Sequence, residues 1–450
     1  MAESVLFGSG RVEGVGCTER TKESRIGSRR LRHAVRNQVK FEPCMLDELV
    51  AEDDEVRIVW EYVCGLDLSE LHARIQAVDG GPGQAPADPR ILVSLWLYAT
   101  LRGVGSAREL NRLCEQHVAY RWICGDVTMN YHTLSDFRTG QVELLDRLLT
   151  ESAASLMAEG LVTLDRVAQD GVKVRASAGA GSFRREATLE EALAAAEEQV
   201  EKLRKELESD CGASKTRQQA ARQRAAVERA ERIRAALDQL PGIAEKKKGK
   251  ERGKARASTT DADARVMKMG DGGYRPAFNV QLATATGSQV ITGVDVTNSG
   301  GDQGQLASMV EQHEQRYGEP PQEILADGGF AKKADIEKVS PPQGGTTVYA
   351  PVMKSKDPER DPHTPCADDS PAVAEWRQRM GREDAKAIYR ERAATAECVN
   401  ALARNRGLRQ FLVRGLRKVK AVVLWYALAH NLMRAVALRA SASELVAFSG

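Results

Sequence analysis

Apolar residues recur at helical spacing through the first third of the chain that follows its N-terminal tail. In the segment 54–77 they fall three or four positions apart, which is the spacing of one face of a helix. Asp88 followed by Pro89 has the pattern of an N-cap and a first-turn proline, and it predicts a helix as far as Leu101. The residues 41–160 are therefore predicted to form an all-helical domain.

Two more helix starts are predicted inside this domain. Ser106 with Glu109 has the spacing of a capping box, and Thr133 with Asp136 predicts the start of a longer helix towards residue 159. Two helices joined by a turn suit DNA binding, but any small helical bundle contains such pairs. The pattern alone leaves both interpretations open.

After residue 160 the pattern changes to β-branched and alternating residues. The stretch RVAQDGVKVRA at 166–176 predicts a strand, although its Asp-Gly pair is equally typical of a turn. The later strands are predicted at 274–285, 289–297, 323–330 and 346–352, with a helix over 302–317.

A long segment rich in Ala, Glu and Arg lies between the first two of these strands. Residues 188–239 predict an antiparallel helical hairpin, with a polar break at 211–214 and an end at Pro241 and the glycine after it. Seven basic residues follow between Lys246 and Arg256. This linker is interpreted either as a solvated spacer or as a contact to nucleic acid or to another subunit.

The order of elements predicts an α/β fold. It is an RNase H-like mixed-sheet domain, interrupted by a helical hairpin insertion and preceded by an all-helical N-terminal domain. Sites in open α/β sheets form at strand ends, where Asp327 would lie. The predicted divisions are a mobile basic tail at 1–40, the helical domain at 41–160, the mixed-sheet domain at 161–440 with its insertion at 183–257, and a C-terminal tail at 441–450.

One carboxylate opens a long cationic stretch near the C-terminal end of the chain. The segment 389–420 has the length of a helix, and no acidic residue follows Glu397 before Glu444. At about 100° per residue, Arg390 and Arg404 share the helical face of Glu397. Such a face suits an acid held beside a polyanion, although most charge runs are solvated helices with a few ion pairs.

Composition indicates an intracellular globular protein. With 450 residues, 42% of them hydrophobic and 28% charged, the chain has room for about two or three domains. No apolar run reaches the roughly 18 residues of a membrane helix, and the N-terminus has no signal-peptide core. The net charge of +2 does not indicate nucleic acid, whereas the local concentration of cations does. The eight cysteines form no CxxC pair, and His363 with Cys366 lacks the second pair of a zinc site.

Several separated blocks resemble one known family. They are PRILVSLWLYATLRGVGSARELNRLC and YHTLSDFR in the N-terminal part, then QDGVKVRASA, STTDADARVMKMGDGGYRPAFNVQ, ILADGGF, and YRERAATAE with the RGL-containing tail. In this order they resemble the DDE transposases of bacterial insertion sequences, of the InsH-type group. The resemblance covers roughly residues 32–438.

The resemblance implies a site of three carboxylates. Asp170, Asp327 and Glu397 match the family's catalytic and metal-binding acids, and its helix signature of Tyr, Arg, Glu and Lys falls on Tyr389, Arg392, Glu397 and Arg404. Four residues rather than three separate the signature's arginine from its glutamate, and an arginine replaces its lysine. Arginine keeps the charge and binds phosphate bidentately, so we expect tolerance. The implied DNA-binding residues are Lys173, Tyr389, Arg392, Arg404, Arg406, Arg409, Arg414, Arg417 and Lys418.

The resemblance further implies a DNA transposase that binds the terminal inverted repeats of an insertion sequence, cuts there and joins the ends to target DNA. Its cofactors would be two Mg²⁺ ions, with Mn²⁺ as a substitute. Its partner would be double-stranded DNA, bound by a homodimer or a larger assembly in the cytoplasm at the nucleoid, with no membrane. The alternatives are a catalytically silent DNA-binding protein derived from a transposase and a hydrolytic nuclease without strand transfer.

Five other acids compete for the site. Asp302 stands at the start of a predicted helix and is predicted to be its N-cap. Asp261, Asp263 and Asp271 lie in a Gly-containing loop and are predicted to be turn or surface residues, and Asp295 lies near the end of a predicted strand.

Overall fold

Helices make up the N-terminal region, as the apolar spacing predicts. Asp54 and Asp88 start two of them by accepting the backbone N–H of the residue two positions later, at 2.9 and 2.8 Å. The computed structural model describes residues 43–77, 85–209, 213–341, 344–354 and 359–449. After a 3₁₀ turn at Leu46–Leu49, the helices are α1 (Glu55–Cys64), α2 (Ser69–Ala73), α3 (Pro89–Leu101), α4 (Ala107–Gln116), α5 (Val118–Cys124), α6 (Tyr131–Gly140) and α7 (Val142–Ala158).

The two other predicted helix starts differ in outcome. Ser106 Oγ accepts from the N–H of Glu109 at 3.4 Å, so α4 begins as predicted. The prediction of Thr133 was wrong, because α6 begins after Asn130, whose Oδ1 accepts from the N–H of His132 at 2.9 Å. Asparagine is the stronger N-cap and stands three positions earlier.

The sheet is mixed and has β1 in its centre. Its six strands have the order β4-β5-β1-β7-β8, with β6 also on β5, and β2 pairs with β3 separately. β1, β7 and β8 are parallel to one another, whereas β5 is antiparallel to β1, β4 and β6. The strands are β1 (Arg166–Arg175), β2 (Phe183–Arg184), β3 (Ala257–Ser258), β4 (Arg265–Lys268), β5 (Tyr274–Ala285), β6 (Ile291–Thr297), β7 (Glu323–Leu325) and β8 (Thr347–Tyr349).

The remaining helices lie between and after these strands. They are α8 (Glu186–Ser209), α9 (Ala213–Glu245), α10 (Gln305–Tyr317), α11 (Lys333–Val339), α12 (Pro371–Gly381), α13 (Glu383–Arg392), α14 (Cys398–Asn405) and α15 (Leu416–Ser449), with 3₁₀ turns at Ala180–Ser182 and Gly249–Lys254.

The helices α8 and α9 pack along one apolar seam, which includes Leu189, Ile233 and Leu240. The predicted end of the second helix at Pro241 was wrong, because α9 continues through this residue. Leu240 and Ile243, on either side of the proline, both join the seam, and this packing offsets the lost backbone hydrogen bond. The predicted tail at 1–40 and residues 211 and 212 of the predicted break lie outside the described residues.

The long helix α15 is the centre of the largest hydrophobic cluster and packs against α3, α6, α7 and β6. Trp425, 1% exposed, donates its indole N–H to the carbonyl of Arg138 at 3.0 Å. The part Leu416–Glu444 is long and apolar enough to cross a membrane, with a mean hydropathy of 1.4. However, 72% of its most apolar stretch is buried inside the protein. Its apolarity is therefore that of a core helix.

Two acids hold the start of α15. Asp263 Oδ2 accepts from the N–H of Leu416 at 2.9 Å, and Asp261 Oδ1 from that of Gly415 at 3.2 Å. Asp261 is 3% exposed, so it is not a surface residue, although it begins a turn as predicted, with the N–H of Ala264 donating to its carbonyl at 3.2 Å. A carboxylate at a helix N-terminus satisfies unpaired N–H groups and the helix dipole, which accounts for its burial. Asp271 is exposed, as predicted.

Candidate carboxylate site

Asp170 lies within β1, opposite Leu282 of β5, so the turn interpretation of its Asp-Gly pair was wrong. Its side chain is 16% exposed, and both carboxylate oxygens are bonded. Oδ1 accepts from Nη2 of Arg392 at 2.9 Å, and Oδ2 accepts from Nδ2 of Asn400 at 2.7 Å. Burial raises the pKa of Asp170 above its usual range, the charge of Arg392 opposes this, and the charge of Asp327 adds to it.

Asp327 lies beyond the end of β7, at the same level of the sheet as Asp170. Ala168 of β1 pairs with Leu325 of β7, and each acid comes two positions later in its chain segment. Asp327 Oδ1 accepts from the N–H of Gly329 at 2.7 Å, which closes a tight turn. The two acids therefore meet where the parallel part of the sheet ends.

Glu397 is the last residue of an irregular turn between two helices. The residues Ala393–Glu397 form a π-helical turn between α13 and α14. Such a turn closes hydrogen bonds over five residues instead of four, so it keeps residues five positions apart on one face. Accordingly, Nη1 of Arg392 lies 3.5 Å from Oε1 of Glu397.

The π turn accommodates the additional residue between Arg392 and Glu397, where four residues stand instead of the three of the family's helix signature. The prediction of one continuous helix over 389–420, in which Arg390 and Arg404 share the face of Glu397, was wrong. It assumed a constant 100° step, whereas the chain is divided into α13, the π turn, α14, a non-helical segment and α15.

The phenol of Tyr389 responds to the charges of all three acids. Burial raises the pKa of its phenol, and the negative charges of Asp327, Asp170 and Glu397 raise it further against the influence of Arg392. Arg392 contacts both Asp170 and Glu397, and Asp327 follows the strand next to that of Asp170, so the three acids predicted from distant parts of the chain share one region of the structure.

The cations predicted to bind DNA differ in exposure. Arg392, 11% exposed, is directed at Asp170 and Glu397 rather than at solvent. Arg406 is half-buried, and burial lowers its pKa. Lys173 is half-buried on β1. The exposed cations are Arg404, Arg409, Arg414, Arg417 and Lys418, of which Arg417 pairs with Glu143 at 2.8 Å.

The segment between α14 and α15 attaches to the end of β1. The N–H of Phe411 donates to the carbonyl of Arg175 at 2.8 Å, and the N–H of Arg175 to the carbonyl of Arg409 at 3.3 Å. Phe411 is 1% exposed and anchors the segment in the core. The exposed Arg409 side chain therefore stands beside the end of the strand that carries Asp170.

Sequence reasoning missed Asn400, the second partner of Asp170. This residue is 4% exposed, and its Oδ1 has no hydrogen-bond partner in the described part of the chain. It stands three residues after Glu397, and residues three apart share a helical face. That spacing is the signal that could have found it.

Asp302 was misassigned as an N-cap. The cap of α10 is Gly304, while Asp302 Oδ1 accepts from Nδ2 of Asn279 at 2.7 Å and from Nε2 of Gln281 at 2.9 Å. The prediction was wrong because two amides of β5 bind the carboxylate that a local pattern assigns to the helix.

A second group of ligand-type side chains lies elsewhere. Among the described residues, Cys366, Asp368 and Asp369 are the group of three whose ligand atoms all lie within 4.8 Å of one another. Lys333 Nζ is 3.0 Å from Asp368 and 2.8 Å from Asp369, and Arg377 Nε is 2.6 Å from Asp369. Cations of the protein already neutralise this group, so it is an ion-pair network.

Two family models match parts of the chain. One, described as a transposase domain, matches residues 45–140, and the other, described as a transposase DDE domain, matches residues 355–436. The second match contains Glu397, Tyr389 and Arg392, whereas Asp170 and Asp327 precede it. Searches of curated proteins and of solved structures gave no match.

Proposed function

We propose that this chain, two segments of which match transposase family models, is a DDE transposase that binds the terminal inverted repeats of its insertion sequence and performs metal-dependent cleavage and strand transfer. The observation that carries this proposal is that Arg392 contacts both Asp170 and Glu397, while Asp327 follows the strand paired with that of Asp170. Three acids from distant chain segments suit an in-line displacement at a phosphodiester, which needs no covalent enzyme intermediate.

The residues of the site fit a hard divalent cation. Asp170, Asp327 and Glu397 offer carboxylate oxygens, and Asn400 adds a buried amide oxygen without a partner among the described residues. Oxygen donors of this kind suit Mg²⁺. The three acids would hold two Mg²⁺ ions, with Mn²⁺ as a substitute. When bound, such ions activate the attacking water or 3′-hydroxyl and stabilise the leaving oxygen.

Neighbouring side chains set the charge and the orientation of Asp170. Arg392 favours the ionised form of Asp170, and Asn400 fixes its second oxygen, so this carboxylate is oriented before DNA arrives. Burial and the negative charges of the acids raise the pKa of the Tyr389 phenol, so its hydroxyl stays a hydrogen-bond donor even at alkaline pH.

The exposed cations hold the DNA backbone. Phosphate contacts supply affinity and register but no base readout. Lys173 and Tyr389 also contact DNA in this proposal. Arg392 instead positions the acids that it contacts, and the half-buried Arg406 packs within the protein. The DNA-contacting cations are then Arg404, Arg409, Arg414, Arg417 and Lys418.

The larger organisation follows the same proposal. The helical region 41–160 would bind DNA, and the region 161–440 would be an RNase H-like catalytic domain. The order β6-β5-β1-β7-β8, with β5 antiparallel to the parallel strands β1, β7 and β8, supports this assignment. The protein would act in the cytoplasm at the nucleoid, as a homodimer or a larger assembly on DNA. The InsH-type group remains a prediction.

The test is cleavage of a labelled duplex that carries an end of the element, with Mg²⁺ or with EDTA. Wild-type protein should cut at the element boundary only with metal. Asp170→Asn, Asp327→Asn and Glu397→Gln should each abolish cutting and retain binding of the duplex. Asp271→Asn is the matched control, since this acid is exposed in a loop and pairs with Arg275.

The products separate the alternatives. Tight binding of the end without cutting by wild type would favour a silent DNA-binding protein. Cutting without joining to target DNA would favour a hydrolytic nuclease. Normal cutting by one of the three site variants would remove that acid from the proposed site.

A further inference from the structure

The carboxylate of Asp302 is fixed to the sheet next to the site. Its Oδ1 accepts two hydrogen bonds from side-chain amides of Asn279 and Gln281, both 0% exposed. Gln281 is paired across the strands with Gly171, the residue after Asp170. Asp302 therefore lies against the strand that carries the first acid of the proposed site.

Gly171 permits this close approach. A Cβ at this position would lie 2.5 Å from Asp302 Oδ1 and 2.7 Å from Gln281 Nε2, which are distances that real Cβ atoms do not show. The glycine is required here by the space that the carboxylate takes, because its φ is not in the left-handed region.

The second oxygen of Asp302 lies near Asp327. A Cβ built on Gly329 would be 3.8 Å from Asp302 Oδ2 and 2.9 Å from Asp327 Oδ1. The two carboxylates therefore share the space beside a residue without a side chain. Among the described residues, Oδ2 accepts no hydrogen bond and Asp302 has no basic partner within ion-pair distance, in contrast to Asp170.

A buried amide oxygen beside the same carboxylate also lacks a donor. Asn279 Oδ1 has no hydrogen-bond partner among the described residues and would lie 3.1 Å from a Cβ at Gly171, the position that Asp302 Oδ1 approaches. A carboxylate oxygen that accepts no hydrogen bond and a buried amide oxygen without a donor are both costly, and oxygen atoms of these two kinds suit a divalent cation.

We propose that Asp302 contributes Oδ2 to a divalent-cation site shared with Asp327, which makes it a fourth metal-binding acid. This inference rests on the proposed function and deepens it. It assigns Asp302 to the metal and the buried amides of β5 to its orientation, as partners of metal ligands commonly are.

The test is Mn²⁺ binding by the full chain, measured by isothermal titration calorimetry with and without an element-end duplex. Asp302→Asn keeps a carbonyl oxygen for the two amides and removes the charge. We expect Mn²⁺ affinity to fall by about 10-fold or more, and the Mg²⁺ concentration for half-maximal cleavage to rise in parallel. Asp271→Asn should change neither value.

Thermal unfolding without metal separates a ligand from a structural residue. If Asp302→Asn lowers the melting temperature or the cleavage rate but binds Mn²⁺ as wild type does, the inference is wrong. Loss of Mn²⁺ binding in Asp327→Asn but not in Asp302→Asn would reject the inference and leave the proposed function standing. A wild-type protein that neither binds Mn²⁺ nor cuts DNA would reject both.

Discussion

Asp170 and Glu397 both contact Arg392 but are held in different ways. The side chain of Asp170 is 16% exposed and accepts hydrogen bonds at both oxygens, whereas that of Glu397 is 62% exposed and has one contact, 3.5 Å long, to Arg392. The strand thus fixes its acid before any ligand binds. The helical half of the proposed site leaves the carboxylate of Glu397 largely exposed and able to change its position.

Arg392 joins the two halves, since its two terminal nitrogens reach Asp170 and Glu397. The π turn that follows Arg392 therefore sets the orientation of Glu397 relative to Asp170 on β1. The comparison of the two acids indicates that the proposed site is more sensitive to the rotation of α14 relative to α13 than to changes in the sheet.

A change in the length of the π turn should have the largest effect. An alanine inserted after Ala393 turns Asn400 and α14 by about 100° relative to α13, so we expect cleavage to be abolished. Deletion of Ala393 instead converts the π turn to an α turn and leaves Arg392 and Glu397 four positions apart on one face. Cleavage should then stay within about tenfold of wild type. The assay is metal-dependent cutting of the element end.

Both length variants must unfold cooperatively, as followed by circular dichroism. Loss of cutting on deletion together with normal cutting on insertion would show that the π turn does not set the register.

Removal of the amide that holds Asp170 should have the next largest effect. Asn400→Ala leaves Asp170 Oδ2 without its partner, and a hydrogen bond to a charged group contributes about 1.5–3 kcal/mol. We expect cleavage to fall by about 10- to 100-fold and the free energy of unfolding to fall by about 2 kcal/mol. Asn405→Ala, an exposed asparagine on the same helix, is the matched control and should change neither. Equal behaviour of the two variants would place Asn400 outside the site.

Removal of the bridging cation should move the pH dependence. Burial raises the pKa of Asp170 and Arg392 lowers it, so Arg392→Gln raises it further. Because Asp170 must lose its proton to bind a cation, the acid limb of Mn²⁺ binding should move to higher pH. Arg392→Lys keeps the charge and should move it less. A limb that stays in place or moves to lower pH contradicts the role of Arg392.

The smallest effect is expected at the exposed cations. Arg404→Ala should lower the slope of log affinity against log salt by about 0.9, the value for one phosphate contact on duplex DNA. Arg406→Ala, a half-buried arginine two positions later, should leave the slope unchanged. An unchanged slope for Arg404→Ala would place this residue away from DNA.

Local patterns predicted the parts of the fold that local forces decide. The caps at Asp54, Asp88 and Ser106 act within three residues, and the alternation in β1 identified the strand of Asp170 despite the Asp-Gly pair. The acids were assigned from the resemblance to a family, and in the structure Arg392 contacts two of them, while the third follows the neighbouring strand.

The errors have a common physical cause. Asp302 and Asp261 bind partners on elements far away in sequence, and Pro241 is retained in a helix by its packing on α8. The π turn adds one residue to an otherwise helical pattern, and a constant rotation per residue cannot represent it.

The caps of α15 have a consequence for synthesis. Asp261 and Asp263 accept hydrogen bonds from backbone N–H groups that lie 154 and 153 positions later in the chain. The helix that they cap fills the centre of the largest hydrophobic cluster. A nascent chain that has not reached α15 therefore exposes that cluster and is open to aggregation and degradation. A copy of the element with a stop codon or a frameshift between Glu397 and Leu416 would encode all three acids but would be silenced by its failure to fold.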